Sequence, residues 1–248
     1  MIDQDSGTER FDRTEMLVGE SGIEYLRKAR VQIYGLGGVG SYAVEAIARA
    51  GVGHITLIDF DTVKASNINR QLVALESTLG MAKVEVAAAR IHDINPDAIV
   101  LIEKQFLEPD NIAELLPKDH AYIIDAIDTV ASKVHLLAGA HARSHGIVSC
   151  MGAANKLSPE GICVNDISET SHCPLARVIR RRLRKHGVPS GIPCVYSQEN
   201  RDITQATDTE VPQREKRVQG SISYVPGIVG LTAAGVIVNQ ILDASKQD

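Results

Sequence analysis

The sequence VQIYGLGGVG at residues 31–40 joins a short strand-forming run to a glycine-rich turn. Gly35, Gly37 and Gly40 fit the spacing G-x-G-x-x-G, and Gly38 adds another small residue. In this pattern the glycines permit a tight turn and a close approach of the backbone to phosphate, while the following helix offers free N–H groups to an anion. The stretch therefore predicts a strand, a phosphate-binding loop and a helix.

A second strand ends in an acidic residue at a suitable distance. Residues 55–58 form a strand-like run, and Asp59 follows it, 19 residues beyond Gly40. An acid about 20 residues after the glycine turn accepts hydrogen bonds from ribose hydroxyls in dinucleotide-binding folds. We therefore expect the glycine turn and Asp59 to bind an adenine nucleotide.

Strand-like and helix-like segments alternate along the chain, which predicts an α/β fold: a Rossmann-like, doubly wound, mostly parallel sheet with helices on both faces. We expect one domain over residues 1–248, opened by a helical segment at 9–29. Residues 135–145 are predicted to form a helix. Residues 199–217 are polar and have no period, which predicts a mobile loop.

Three polar residues after the second strand indicate whether the nucleotide is ATP or a nicotinamide dinucleotide. Asn67, Arg70 and Lys83 follow it closely. A nicotinamide dinucleotide needs no such cluster, whereas a triphosphate attacked at its α-phosphorus accumulates charge on its oxygens. The two cations and the amide favour ATP over NAD. The glycine turn alone would also fit an NAD-dependent oxidoreductase.

The chain resembles the ubiquitin-activating-enzyme-like adenylyltransferases, which include the activators of sulfur-carrier proteins. The matching segments are RFDR at 10–13, GLGGVGS at 35–41, DFD at 59–61, NINRQ at 67–71, Lys83 and DAID at 125–128. One branch, the tRNA threonylcarbamoyladenosine dehydratases, is similar over nearly the whole chain, through RFDRT at 10–14, PLA at 174–176 and CVYSQE at 194–199. The resemblance implies a single adenylating domain that uses ATP and Mg²⁺.

The resemblance also implies a role for each matching position. Asn67, Arg70 and Lys83 would contact the triphosphate, and Asp128 would help to hold Mg²⁺. Arg13 matches an arginine that reaches the triphosphate of the other subunit in dimeric relatives, so we expect a homodimer in which Arg13 acts in trans. We expect Arg13, Arg70, Lys83 and Asp128 to be catalytic.

The implied reaction is the ATP-dependent dehydration, by cyclisation, of threonylcarbamoyladenosine in tRNA through an adenylated carboxylate. Two alternatives share the ATP site: adenylation of a sulfur-carrier protein, and a non-catalytic nucleotide-binding partner of a sulfur-transfer system. The full set of polar site residues disfavours the second alternative. A sulfur-transfer protein stays among the expected partners.

The four cysteines bear on the first alternative. Cys150, Cys163, Cys173 and Cys194 stand alone, without the Cys-x-x-Cys pairs of zinc-binding sulfur-carrier activators. Ring closure in a dehydratase needs no enzyme thiol, so we expect Cys194 to be non-catalytic. Unpaired cysteines are also typical of a reducing compartment. Residues 1–10 are polar and lack the apolar core of a signal peptide, so we expect a cytoplasmic protein.

A basic run near residue 180 points to nucleic acid, although the whole chain has a net charge of −5. Six cations occur within nine residues, with no acidic residue between them. The intervening apolar residues allow a helix that docks on one side and spreads its cations over the other. We expect tRNA binding by Arg177, Arg180, Arg181, Arg182, Arg184 and Lys185.

Residues 222–242 carry no charged side chain, which reaches the length of a membrane span. The alternative is a buried segment that begins as a loop at Pro226-Gly227 and continues as a close-packed helix. Asn239 and Gln240 lower its membrane affinity. The resemblance implies that this segment lies in the globular fold, so we expect no membrane association.

Overall fold

The computed structural model describes residues 9–200 and 219–246. Seven helices and seven strands are found in these residues. They are α1 (Asp12–Lys28), β1 (Arg30–Tyr34), α2 (Gly40–Arg49), β2 (His54–Ile58), α3 (Lys83–Ile94), β3 (Ile99–Glu103), α4 (Ile112–Leu115), β4 (Tyr122–Asp125), α5 (Val130–Ala142), β5 (Gly146–Cys150), β6 (Ile162–Asp166), α6 (Pro174–Lys185), β7 (Pro193–Ser197) and α7 (Tyr224–Ala244). Two 3₁₀ turns, Ala65–Asn67 and Glu76–Thr78, lie between β2 and α3.

The seven strands form one sheet in the order β3-β2-β1-β4-β5-β7-β6. Neighbouring strands are parallel except β6 and β7, which are antiparallel. The strand order changes direction between β1 and β4, and ligands bind beside the carboxyl ends of the strands at such a point. The predicted Rossmann-like, mostly parallel α/β sheet is confirmed.

Helices cover both faces of the sheet, because successive strand residues point to opposite sides. On one face, Ile33 and Leu57 pack into a core shared with α2, α3 and α7. On the other face, Tyr34 and Ile58 pack into a core shared with α4, α5 and α6. The central strands β4 and β5 are buried on both faces, which explains their nearly continuous apolar runs.

The predicted helical segment at 9–29 corresponds to α1, which is kinked at Gly19 with φ 76°. Both predicted boundaries of one helix are wrong. The helix expected at 135–145 begins at Val130, directly after the extended Thr129, and ends at Ala142. The mobile loop expected at 199–217 falls almost entirely outside the described residues.

The loop expected at Pro226-Gly227 is also wrong, because α7 begins at Tyr224 and includes both residues. Proline is tolerated in the first turn of a helix, where its missing N–H would have no intrahelical acceptor.

Helix α7 packs one face against the fold along α2, and half of its apolar stretch is buried. A Cβ added to Gly230 would lie 2.2 Å from the carbonyl oxygen of Val39, so only glycine permits this approach. Near the other end, Gln240 Nε2 donates to the carbonyl of Ile147 at 3.2 Å. Within the described residues α7 is the one helix long and apolar enough to cross a membrane, with mean hydropathy 1.7. Its packing agrees with the expectation that this segment lies in the globular fold.

Candidate active site

The glycine loop lies between β1 and α2, and its geometry requires glycine at two positions. Gly35 leaves β1 with φ 87°, a left-handed conformation. A Cβ on Gly40 would lie 1.8 Å from the carbonyl oxygen of Gly35, so the first turn of α2 packs directly on the loop. Helical hydrogen bonding begins with Ser41 N–H, which donates to Gly37 O at 3.0 Å. The amides before Ser41 are those that a helix leaves for an anion.

Asp59 joins the end of β2 to the glycine loop. Its Oδ2 accepts from the N–H of Leu36 at 2.6 Å, and its Oδ1 accepts from the N–H of Asp61 at 2.8 Å. The side chain is buried, yet a carboxylate has lone pairs beyond these two bonds. The predicted ribose-binding acid therefore lies beside the phosphate loop with acceptor capacity left.

Lys83 begins α3 and turns its ammonium inward. Nζ lies 3.0 Å from Asp61 Oδ2, and the lysine side chain is 5% exposed, against 34% for Asp61. Its backbone N–H also donates to Asp61 O at 3.1 Å. A solvent-exposed surface lysine is thereby excluded, because a buried ammonium requires a charged or polar partner.

Arg70 lies against the glycine loop, since a Cβ added to Gly38 would lie 3.3 Å from Arg70 Cγ. Its guanidinium Nη1 donates to Ser66 O and to Asn69 Oδ1, each at 2.9 Å. Asn67 is buried, and its Oδ1 accepts from Lys64 N–H at 3.1 Å, closing the 3₁₀ turn.

The loop after β4, which carries Asp128, lies beside the glycine loop. Ala126 N–H donates to Tyr34 O at 2.9 Å, and a Cβ on Gly35 would lie 2.9 Å from Ala126 O. Asp128 is exposed, and its Oδ1 accepts a long 3.4 Å hydrogen bond from Thr129 Oγ1. We call the carboxyl ends of β1, β2 and β4, with the loops that follow them, the nucleotide rim.

A fully buried ion pair contacts the loop that carries Asp128. Lys133 Nζ is 2.8 Å from Asp125 Oδ2 and donates to Ile127 O at 3.1 Å. Ser149 Oγ donates to Asp125 Oδ2 at 2.6 Å. Burial raises the pKa of Asp125, and the ammonium of Lys133 opposes that rise. The pair ties β4, β5 and α5 to the loop that carries Asp128.

Arg13 does not join the nucleotide rim of its own chain. Phe11 packs near Gly51, which follows the C-terminal end of α2, whereas the glycine loop lies at the N-terminal end of that helix. Arg10 Nη1 likewise donates to Ile94 O, at the end of α3. The action of Arg13 in trans stays a prediction, and this placement is compatible with it.

Cys194 is fully buried in β7, and its Sγ donates to Ile192 O at 3.4 Å. Burial raises the pKa of Cys194, and it raises the pKa of Cys150 to about 12. A nucleophilic cysteine needs a thiolate and access to substrate. Neither thiol has these properties in this environment.

The basic run forms α6, which buries Ala176, Ile179 and Leu183. One cation departs from the predicted outward face. Arg180 is half-buried, and its Nη1 donates to Thr170 O at 2.7 Å and to Thr170 Oγ1 at 2.6 Å. The other five predicted tRNA-binding residues are exposed: Arg177, Arg181, Arg182, Arg184 and Lys185.

Sequence reasoning missed three polar residues near the rim. Asp61 was visible only as the second acid of the DFD segment, yet it holds Lys83. Gln71 follows Arg70, and its Oε1 is buried without a hydrogen-bond partner in the described part of the chain, so a bound ligand could satisfy it. Lys133 gave no signal beyond being a lysine in an apolar helix.

The fold and the nucleotide rim define a class: a Rossmann-like nucleotide-binding protein with an acid and fixed cations around a phosphate loop. The chain belongs to the ThiF family, whose family model matches residues 11–248. The predicted membership among ubiquitin-activating-enzyme-like proteins is thereby confirmed.

Individual relatives narrow the class. The chain is similar to the tRNA threonylcarbamoyladenosine dehydratase of Bacillus subtilis, with 39% identity over 94% of each chain. It is 40% identical to the same enzyme of Escherichia coli, over 80% of this chain and 77% of the relative. A solved structure of the E. coli dehydratase in complex with ATP matches with a TM-score of 0.89 and 34% identity, over 100% of both chains.

Proposed function

We propose that this protein is an ATP-dependent tRNA threonylcarbamoyladenosine dehydratase, built as one adenylating domain over residues 1–248. The nucleotide rim carries the proposal, because Asp59, Arg70, Lys83 and the loop of Asp128 meet the glycine loop at one sheet edge. Similarity to dehydratases over nearly the whole chain supports the substrate. Adenylation of a sulfur-carrier protein is not favoured.

We infer the orientation of ATP from the chemistry of the rim residues. The glycine-loop amides and the N-terminus of α2 bind its phosphates, and Asp59 accepts from a ribose hydroxyl. Arg70 and Lys83 stabilise the negative charge that develops on the phosphate oxygens during attack. Lys83 is already held near the rim by Asp61. Asn67 contributes by shaping the turn that carries Arg70.

The donor set also fits Mg²⁺. This ion prefers one or two carboxylates together with phosphate oxygens and water, and Asp128 offers an exposed carboxylate whose described hydrogen bond is long. Asp128 would hold the ion, which when bound neutralises charge on the phosphates.

The reaction activates a carboxylate. The free carboxylate of the threonyl group attacks the α-phosphorus of ATP and displaces pyrophosphate, giving an acyl adenylate. A nucleophilic atom of the carbamoyl group then attacks the acyl carbon and displaces AMP, closing a five-membered ring with net loss of water. Because the ring closes within one molecule, proximity supplies much of its rate. No enzyme thiol takes part, which agrees with the burial of Cys194.

The protein acts as a homodimer in this proposal, with Arg13 reaching the partner's ATP. Exposed apolar side chains on the same helix support an interface there, since Met16 and Leu17 are each 86% exposed. A cytoplasmic location and a sulfur-transfer protein as a further partner stay predictions.

tRNA docks on the outer face of α6. The five exposed cations of that helix supply contacts to backbone phosphates, and guanidinium groups suit them because they bind phosphate oxygens bidentately. Arg180 supports this face indirectly, since its bonds to Thr170 fix α6 on the loop before it.

The products test the proposal. Purified protein with Mg²⁺-ATP and tRNA carrying threonylcarbamoyladenosine should release AMP and pyrophosphate, and mass spectrometry should find the nucleoside lighter by one water. Asp128→Asn, which keeps the volume and removes the charge, should lower turnover at least about 100-fold with the fold intact. Formation of ADP and phosphate, or an unchanged nucleoside, contradicts the proposal.

A further inference from the structure

A cleft of about 420 Å³ opens between α5 and α6, outside the nucleotide rim. His135 lines it from α5, while Arg181, Arg182, Lys185 and His186 line it from the side of α6. Two apolar residues of α5 complete the lining, and no carboxylate is among the described residues that form it. Three fixed cations and two imidazoles without an opposing acid suit a phosphate group.

The two imidazoles can change from acceptors into donors. His135 Nδ1 lies 2.9 Å from Ala131 O, and a carbonyl only accepts, so Nδ1 carries a proton. Its Nε2 then accepts when the ring is neutral and donates when the ring is charged. The rings of His135 and His186 lie 5.2 Å apart at 71°.

Charge around these rings depends on whether an anion is present. His186 is the C-cap residue of α6. Arg181, Arg182 and Lys185 are the fixed charges of the lining. A phosphate group in the cleft is an anion, and it interacts more strongly with a protonated imidazole than with a neutral one. Binding of phosphate is therefore linked to proton uptake.

The position of the cleft favours a phosphate of tRNA over a free ion. Its lining begins at Ala131, three residues after Asp128, and His135 lies about 8 Å along α5 from its first residue. A second depression of about 300 Å³ continues along α6, lined by Arg177, Arg181 and Arg184. A row of cations that begins beside the rim suits a chain of phosphates.

We propose that the α5–α6 cleft binds a backbone phosphate of tRNA near the modified adenosine, and that His135 and His186 take up protons when it binds. The proposal rests on the proposed function, because it supplies the path of the tRNA from α6 to the nucleotide rim.

Direct binding of tRNA at fixed ionic strength tests this. For the wild-type protein, the Kd of fluorescently labelled tRNA should fall about fivefold or more from pH 8 to pH 6, because affinity rises where imidazoles charge. In the variant His135→Gln/His186→Gln the change should be within about twofold. His92→Gln, on the exposed side of α3 at the other face of the sheet, should behave as wild type. All three proteins should share one ATP affinity at each pH.

The outcomes separate three cases. A folded double variant that keeps the wild-type pH dependence overturns the proposal. If inorganic phosphate shifts the ring NMR signals of His135 and His186 while tRNA binding by the double variant is unchanged, the cleft binds free phosphate and the tRNA assignment is wrong. Proton-linked tRNA binding without AMP formation from modified tRNA would retain the cleft and overturn the proposed function.

Discussion

Lys133 and Asp125 place two opposite charges in the interior, each with a fully buried side chain. Removing one partner of such a pair leaves an uncompensated charge, at a cost of about 3–5 kcal/mol. Lys133→Met should therefore lower the free energy of unfolding by about that amount at pH 7. The double variant Lys133→Met/Asp125→Asn should recover more than half of the loss. Urea denaturation measures both values.

The loss in Lys133→Met should depend on pH with a definite sign. Burial raises the pKa of Asp125, and without Lys133 only the hydrogen bonds from Ser149 and from the N–H of Ile127 oppose that rise. When the pKa of a carboxyl group is raised on folding, the protein becomes less stable as the pH increases. The free energy of unfolding of the variant should therefore be further below that of wild type at pH 8 than at pH 5. Arg90→Met, which breaks the more exposed pair with Glu45, should cost below about 1 kcal/mol and serves as control. Equal losses from both variants would show that burial does not make the Lys133–Asp125 pair more costly to break than an exposed pair.

At the scale of elements, α6 combines an apolar face that docks it with a cationic face that is free for ligand. Charge reversal outside the α5–α6 cleft, by Arg177→Glu/Arg184→Glu, should weaken tRNA binding. It should also flatten the dependence of log Kd on log salt by about 0.7–0.9 for each phosphate that the variant no longer neutralises. ATP affinity should stay the same, because neither residue contacts the rim.

A matched reversal at the end of α1, by Arg27→Glu/Lys28→Glu, changes the net charge equally on another exposed helix. It should leave the salt slope near that of wild type. If both double variants change tRNA binding alike, the effect comes from overall charge and α6 is not the docking surface.

At the scale of the whole molecule, the separation of Arg13 from the nucleotide rim predicts shared active sites. Arg13→Ala and Lys83→Met should each be inactive alone. Mixed subunits should regain activity, since a hybrid dimer contains one site with both residues. With random exchange, half of the dimers are hybrids and roughly a quarter of all sites are complete. Turnover that stays at the level of the single variants, although mass spectrometry detects hybrid dimers, would argue against action in trans.

Features of the protein that depend on local pattern could be predicted from its sequence. Glycine spacing and the acid after β2 predicted the nucleotide loop, because a tight turn and a helix N-terminus impose their residues within a few positions. Alternation of segments predicted the doubly wound sheet, and apolar positions within the basic run predicted α6. The family motifs added Lys83 and Asp128, which no local periodicity would have selected.

Contacts between distant side chains could be found only in the folded protein. Lys83 pairs with Asp61, and Lys133 pairs with Asp125, because packing of helices on strands brings distant positions together and burial then requires charged groups to find partners. Arg180, which was expected on the surface, is instead half-buried and donates a hydrogen bond to Thr170, which holds α6 on the preceding loop. Packing also placed His135 beside His186, although 51 residues separate them along the chain. The sequence pattern predicts which side of a single helix or strand is buried. Contacts between elements form only when the sheet and its helices assemble.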